Sequence, residues 1–227
     1  FCIICEPSDN TITLGHTGKV QARLRTHGIS AHSSAPEKGR NAVYEMAEII
    51  TRVEALNQRL SEAENGGTVV LSDISSVSAS LNAVPSECEI YLDRRLRLGE
   101  TVAQVRQELD ALTEGKQAEW LSGTLVHTSW AGAELVYEPS HEPWKISESH
   151  ILTQRCRQAY EQVFGQPPLR SDFWDFGTNA VVPVRMGIPT IGFGPGEYKL
   201  AHMTNEHCAV SKVIDAGKFY TALIALL

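Results

Sequence analysis

The order in which hydrophobic periodicity changes between residues 17 and 130 constrains this chain more than anything else in it. Over residues 19–25, Val20, Ala22 and Leu24 alternate with Lys19, Gln21, Arg23 and Arg25, the mark of a strand with one buried face. Asn41 is placed to cap a helix with Val43, Met46, Ala47, Ile50, Val53 and Leu60 on one stripe. Asn65, Gly66 and Gly67 break that helix, and residues 68–77 read as a strand. Cys88, Ile90 and Leu92 then alternate with Glu87, Glu89 and Asp93 in another half-buried strand. Thr101 can cap a helix carrying Val102, Val105, Leu109 and Leu112 on one side, and residues 119–127 form a weaker strand. The resulting order, β-α-β-β-α-β, suits an antiparallel sheet with both helices on one face.

The flanking segments read differently. Residues 1–5 are an apolar strand ending at Glu6-Pro7, with a turn near Asp9-Asn10. A crossing linker runs from Glu138-Pro139 to Glu142-Pro143. A helix over 148–164, a strand, a short helix near 180–186, a strand over 190–193, a glycine-rich loop and a final helix near 213–226 follow. The fold class is therefore α/β. Residues 1–16 contribute a strand segment to the sheet of 131–227, and 17–130 are an inserted βαββαβ domain. Because Phe1 already lies in an apolar strand, the chain reads as a fragment, or as truncated at its N-terminus.

Composition removes several classes of function. A formal net charge of −7 argues against nucleic acid or an anionic membrane as the main partner. No apolar run approaches the roughly 20 residues of a membrane span. Residues 1–5 lack the basic start and cleavage site of a signal peptide, so none is expected there. The cysteines, at 2, 5, 88, 156 and 208, are too sparse and odd in number for a disulfide framework, which fits a reducing, cytoplasmic setting. Cys2 and Cys5 form a lone Cys-x-x-Cys. A metal or redox role would need a second pair or a following helix, and neither is present.

The residues that can carry chemistry sit in loops. His32 lies in a polar, small-residue loop between a strand and a helix, where an exposed histidine is as readily structural as functional. Glu6, at the end of a buried strand, needs a partner such as an arginine or a metal, because an unpaired buried charge is costly. Gly192, Gly194 and Gly196 alternate around Pro195. This is not a phosphate cradle, which needs Gly-x-Gly-x-x-Gly opening a helix or a Lys-Ser/Thr. A loop at the carboxyl end of a strand is still a favoured ligand position, and glycines there let backbone N–H groups at Gly194 and Gly196 approach an anionic substrate. His202 follows that loop. Zinc accepts imidazole nitrogen and carboxylate oxygen but usually needs at least three protein ligands, so Glu6 and His202 cannot form a site alone. Asn82 reads equally as a turn residue before Pro85 and as a substrate contact.

Taken in order, Glu6-Pro7-Ser8, the His32 loop with Pro36, Gly39 and Asn41, the segment Asn82-Ala83-Val84-Pro85, and residues 192–196 before His202 and Asn205-Glu206 resemble the zinc-dependent aminoacylase, acetylornithine deacetylase, succinyl-diaminopimelate desuccinylase and carboxypeptidase G family. The likeness spans essentially the whole chain and feels closest to a subgroup linked to selenium metabolism. It implies part of a zinc-peptidase catalytic domain carrying an inserted ferredoxin-like lid and dimerisation domain. It implies two Zn2+ ions per complete subunit, with Co2+ or Mn2+ as alternatives, held in part by Glu6 and His202. It implies that His32 reaches into the active site of a partner subunit in a homodimer and polarises the scissile carbonyl, and that Asn82 contacts substrate. The substrate would be an N-acyl amino acid or peptide cleaved next to a carboxylate. Arg94 and Arg95, after Asp93, read as sheet-surface and ion-pair residues.

Two departures qualify the resemblance. The family's His-x-Asp, bridging Asp and Glu-Glu, the last supplying the general base, precede its Glu-Pro segment and are not in this chain. That leaves about two of the roughly five protein ligands of a two-metal site. Asn179 stands in Gly177-Thr178-Asn179-Ala180 where many members have Asp. The expectation is the C-terminal part of an amidohydrolase, inactive by itself. The rival is a non-catalytic dimerisation module that keeps the fold.

Overall fold

The computed structural model describes all 227 residues. In chain order the elements are β1 (Cys2–Ile4), β2 (Thr13–His16), β3 (Gly18–His27), α1 (Ala42–Glu62), β4 (Thr68–Val77), β5 (Glu87–Leu96), α2 (Val102–Thr113), β6 (Ala118–Ser122), β7 (Leu125–Thr128), β8 (Glu134–Tyr137), β9 (Ser140–His141), β10 (Trp144–Lys145), α3 (Ile151–Phe164), β11 (Asp172–Trp174), α4 (Val181–Arg185), β12 (Thr190–Gly192) and α5 (Val210–Leu226). They divide into an inserted unit, residues 18–142, and a flanking unit, residues 1–17 with 143–227. Residues 131–142, which the sequence reading set with the C-terminal part, group with the inserted unit because β9 pairs with β3 at Lys19 and Val20.

The inserted unit has the expected layout. Its sheet runs β4-β5-β3-β6, antiparallel throughout. Val20, Ala22 and Leu24 of β3 and Cys88, Ile90 and Leu92 of β5 point to one face and are buried under α1 and α2. Each of the fully buried Leu24, Ile90 and Leu92 contributes roughly 1.5–3 kcal/mol. Asn41 Oδ1 accepts the Val43 N–H at 2.9 Å, and Thr101 with Gln104 closes a capping box on α2. The buried stripe of α1 differs from expectation. It runs through Ala42, Met46, Ile49, Val53 and Leu56, whereas Ala47 is exposed and Val43, Ile50 and Leu60 lie at its border. The steps of three and four residues among positions 46, 49, 53 and 56 define the sheet-facing line.

Two further expectations are corrected here. Arg94 is not on the sheet surface. It takes a buried place in the β5 alternation, 3% exposed, and its guanidinium bonds Glu108 at 3.0 Å and also Glu100. The weaker strand over 119–127 is two strands. After β6, Gly123 donates to the Gln21 carbonyl at 2.8 Å and the chain leaves the sheet, so that β7 pairs only with β8. That hairpin carries Val126, Val136 and, at its tip, a fully exposed Trp130. At the opposite edge of the sheet β4 leaves Val70, Ile74 and Val77 more than half exposed.

The flanking unit is a sheet of short strands ordered β1-β12-β2-β10, with β11 also on β2. β1 and β12 are parallel, with Ile3 opposite Ile191 and Ile4 opposite Gly192. Phe1 precedes β1 and is mostly exposed. Ile12, Leu14, Ile191 and Phe193 pack on Leu152, Cys156 and Ala159 of α3 and on Ala216, Phe219 and Leu223 of α5, with the Phe193 and Phe219 rings stacked at 3.8 Å. The His150 imidazole caps α3 by accepting the Leu152 N–H at 3.1 Å, a cap the sequence does not announce. All five cysteines are free. No helix is long and apolar enough to cross a membrane.

Candidate catalytic and metal-binding residues

In the flanking unit, the parallel pairing of β1 and β12 delivers two loops at the carboxyl ends of adjacent strands. One contains Glu6-Pro7-Ser8 and the other Gly194-Pro195-Gly196. A backbone clamp joins them. The Gly194 N–H donates to Ser8 Oγ at 3.0 Å, and the Gly194 carbonyl accepts from the N–H groups of Ser8 at 3.2 Å and Asn10 at 2.9 Å. The Asp9 N–H donates to the Gly196 carbonyl at 2.7 Å. Ser8, Asn10 and Gly194 are all buried, so these bonds form away from competing water. A Cβ on Gly194 would overlap the Glu6 carbonyl and lie 2.7 Å from that of Cys5, which only glycine avoids. The Gly194 N–H is thus committed to Ser8, and what Gly194 offers the site is close approach of the Glu6 loop.

The same turn is fastened to α5. Asp9 and Asn10 both have left-handed backbones, and Asn10 Nδ2 donates to the Lys212 carbonyl at 2.9 Å. Lys212 pairs with Asp9, and that hydrogen bond raises its pKa. Tyr220 of α5 donates to the Phe193 carbonyl at 2.6 Å, and burial raises its pKa, as does the neighbouring Cys5.

His202 lies beyond the glycine loop in an exposed turn with a left-handed backbone, φ 64°. That conformation costs an L-residue roughly 1–2 kcal/mol. Its N–H donates to Glu206 Oε2 at 3.0 Å, a charge-assisted bond of comparable size. Asn179 is exposed. Its neighbour Thr178 donates its N–H to Nδ1 of the buried His16 at 2.9 Å and accepts the Ala180 N–H on its hydroxyl.

In the inserted unit, the structure brings His32 and Asn82 together. Residues 31–33 run beside 82–84: His32 bridges Ala83, the Ser33 N–H donates to the Asn82 carbonyl at 2.9 Å, and the Val84 N–H donates to the Ala31 carbonyl at 2.8 Å. The Asn82 and His32 side chains are exposed. His32 Nδ1 accepts the Ser34 N–H at 3.1 Å and lies 2.8 Å from Ser34 Oγ. With Nδ1 an acceptor, the neutral ring carries its proton on Nε2, directed away from its own loop.

Glu6 and His202 offer the donor atoms zinc prefers, but nowhere do three His, Cys, Asp or Glu side chains come together in a metal-holding group. These two residues therefore fit a metal as partial ligands and do not complete its coordination. Ser8, Ser34 and Glu206, which hold the candidate residues, had no assigned role in the sequence reading. Ser8 and Glu206 stand inside the quoted motifs, and that position is the only signal that could have found them.

Comparison with known proteins accounts for this layout. Residues 14–120 match the M20 peptidase dimerisation domain. The chain is 36% identical over 228 residues to the protein YgeY of Escherichia coli (strain K12), covering 98% of this chain and 56% of that protein. It is 27% identical over 234 residues to the acetylornithine deacetylase of Edwardsiella ictaluri, again covering 98% and 56%. Its fold matches an M20 family metallo-carboxypeptidase of Sulfolobus solfataricus with a TM-score of 0.68 at 17% identity, covering 98% of this chain and 62% of the other. The chain thus spans little more than half the length of the relatives it matches.

Proposed function

Because this chain belongs to the M20 peptidase family, whose members are hydrolases that depend on metal, generally zinc, we propose that it is the C-terminal part of a metal-dependent amidohydrolase or peptidase. The bond cleaved is an N-acyl, amide or peptide bond near a carboxylate. The observation that carries this reading is the clamp of Ser8 on Gly194, which fixes Glu6 at a strand end beside the glycine turn. Glu6 and His202 contribute to the metal centre. A metal there supplies Lewis-acid polarisation of the carbonyl. His32, from the inserted unit of a partner subunit, donates from Nε2 to the developing oxyanion. Asn82, Gly194 and Gly196 contact the substrate, Gly194 by its lack of a side chain. The homodimer forms through residues 17–130, where the unpaired β4 edge invites pairing. A reducing, cytoplasmic setting suits the free thiols.

Purified residues 1–227 are expected not to hydrolyse N-acyl amino acids or dipeptides, even with added zinc. Chelator-sensitive turnover by this chain alone would sink the reading. A dimer is expected in light scattering at high micromolar concentration, and a strict monomer counts against the partner role of His32. One observation favours the non-catalytic alternative: no three metal-binding side chains converge in this chain. Completing the subunit with a segment bearing the family's His-x-Asp and Glu-Glu decides between them, since an interaction module gains no activity.

A further inference from the structure

Three residues other than glycine have left-handed backbones: Asp9, Asn10 and His202. Aspartate and asparagine visit that region readily, because their short polar side chains bond locally. His202 has no such means, and its backbone is held from four residues away. The chain enters through the 3-10 turn Tyr198–Leu200, and Met203 donates to the Leu200 carbonyl at 3.1 Å. Glu206 then donates its own N–H to the Met203 carbonyl at 3.0 Å, and the tight turn folds its carboxylate back onto the His202 N–H at 3.0 Å.

We propose that Glu206 is a positioning residue for His202: its carboxylate holds the His202 backbone left-handed and thereby fixes the direction in which the imidazole is presented. A change from positive to negative φ would swing Cβ to another side of the backbone and carry the ring with it. A metal–nitrogen bond near 2.0–2.1 Å tolerates little of that movement. Glycine or asparagine would suit the backbone better, but neither supplies an imidazole. The local rule is broken where a specific side chain is needed, the pattern expected of a functional position. The consequence for metal binding rests on the reading of His202 as a ligand. The backbone hold does not.

The test uses isotopically labelled residues 1–227 with Glu206→Ala and Glu206→Gln, the second keeping an acceptor oxygen. NMR of the parent chain should give His202 the HN–Hα coupling and Cα shift of positive φ. Glu206→Ala should lose that signature at an unchanged melting temperature, and Glu206→Gln should keep it. In the subunit completed with a segment bearing the family's His-x-Asp and Glu-Glu, zinc, followed by the His202 imidazole resonances, should bind about tenfold more weakly to Glu206→Ala, with Glu206→Gln close to the parent. Positive φ at His202 in Glu206→Ala overturns the proposal. So does a Glu206→Gln chain that keeps φ but loses zinc as fully as the Ala variant, because Glu206 would then be a ligand. If φ responds as expected while zinc leaves the imidazole untouched in every chain, the positioning role stands and the metal reading of His202 falls.

Discussion

The two loop systems that carry the candidate residues are built on opposite principles. In the flanking unit, Glu6 is fixed by a clamp of buried backbone bonds among Ser8, Asn10 and Gly194, on parallel strands covered by α3 and α5. In the inserted unit, His32 and Asn82 stand exposed on a short backbone ladder, and only Ser34 restrains the imidazole. A metal ligand must stay within a few tenths of an ångström of its place, and a buried clamp provides that rigidity. A donor that meets substrate bound elsewhere must reach outward, and an exposed loop allows it. Function and stability should therefore separate between the two loops.

The largest effect should come from the exposed one. In the complete enzyme, His32→Ala should lower turnover about a hundredfold or more, the size of a lost oxyanion donor, with metal content unchanged. Its melting temperature should hold, since exposed substitutions stay within about 0.5 kcal/mol. Mixing this variant with one mutated at His202 should restore some activity. Full activity in His32→Ala, or no recovery despite proven subunit exchange, removes the trans-acting role and with it the contrast.

The clamp should show the reverse. Gly194→Ala forces a methyl onto the Glu6 carbonyl and should cost about 1–3 kcal/mol, or several degrees of melting temperature at this chain length. Ser8→Ala leaves the buried Gly194 N–H without its acceptor and should cost about 1–3 kcal/mol in denaturant unfolding, toward the lower end if water enters. If either variant melts like the parent, the clamp is not rigid.

The smallest expected effect lies away from both loops and serves as a control. Burial alone would raise the pKa of Glu100, but hydrogen bonds from Arg94 and from the Arg97 N–H outweigh it and leave the pKa lowered from 4.5. A carboxylate with a lowered folded-state pKa adds stability above its unfolded value and loses it as pH falls through the folded one. The inserted unit should therefore lose stability as pH falls below about 4.5. Glu100→Gln, which removes the titrating carboxylate and keeps the side chain's shape, should flatten that part of the profile, and an unchanged profile would detach Glu100 from it.

What the sequence makes legible follows the same division. Strict alternation in β3 and β5 and the caps Asn41 and Thr101 are local signals, and the inserted unit is readable from them. The stripe of α1 was displaced because Ile49 and Ile50 are equally apolar and only the sheet decides between them. Arg94 looked like a surface residue because its carboxylate partners lie 6 and 14 positions on, one before α2 and one within it. The Ser8–Gly194 bond spans 186 positions, and no local pattern encodes it. Glu6, His32 and His202 were found through motif order rather than through chemistry visible at each residue.

The placement of the inserted unit within the chain has a kinetic consequence. β2 and β10 are antiparallel neighbours, His16 opposite Trp144, yet residues 17–143 separate them. Just inside, β3 and β9 pair Lys19 with His141, so the inserted segment ties its own ends together when it folds. Closing a long flexible loop is entropically slow, and closing a tether of a few residues is not. The insertion therefore acts as its own splint. A mutation that slows folding of residues 18–142 should delay the joining of β2 to β10, even when it touches no residue of the flanking unit's sheet.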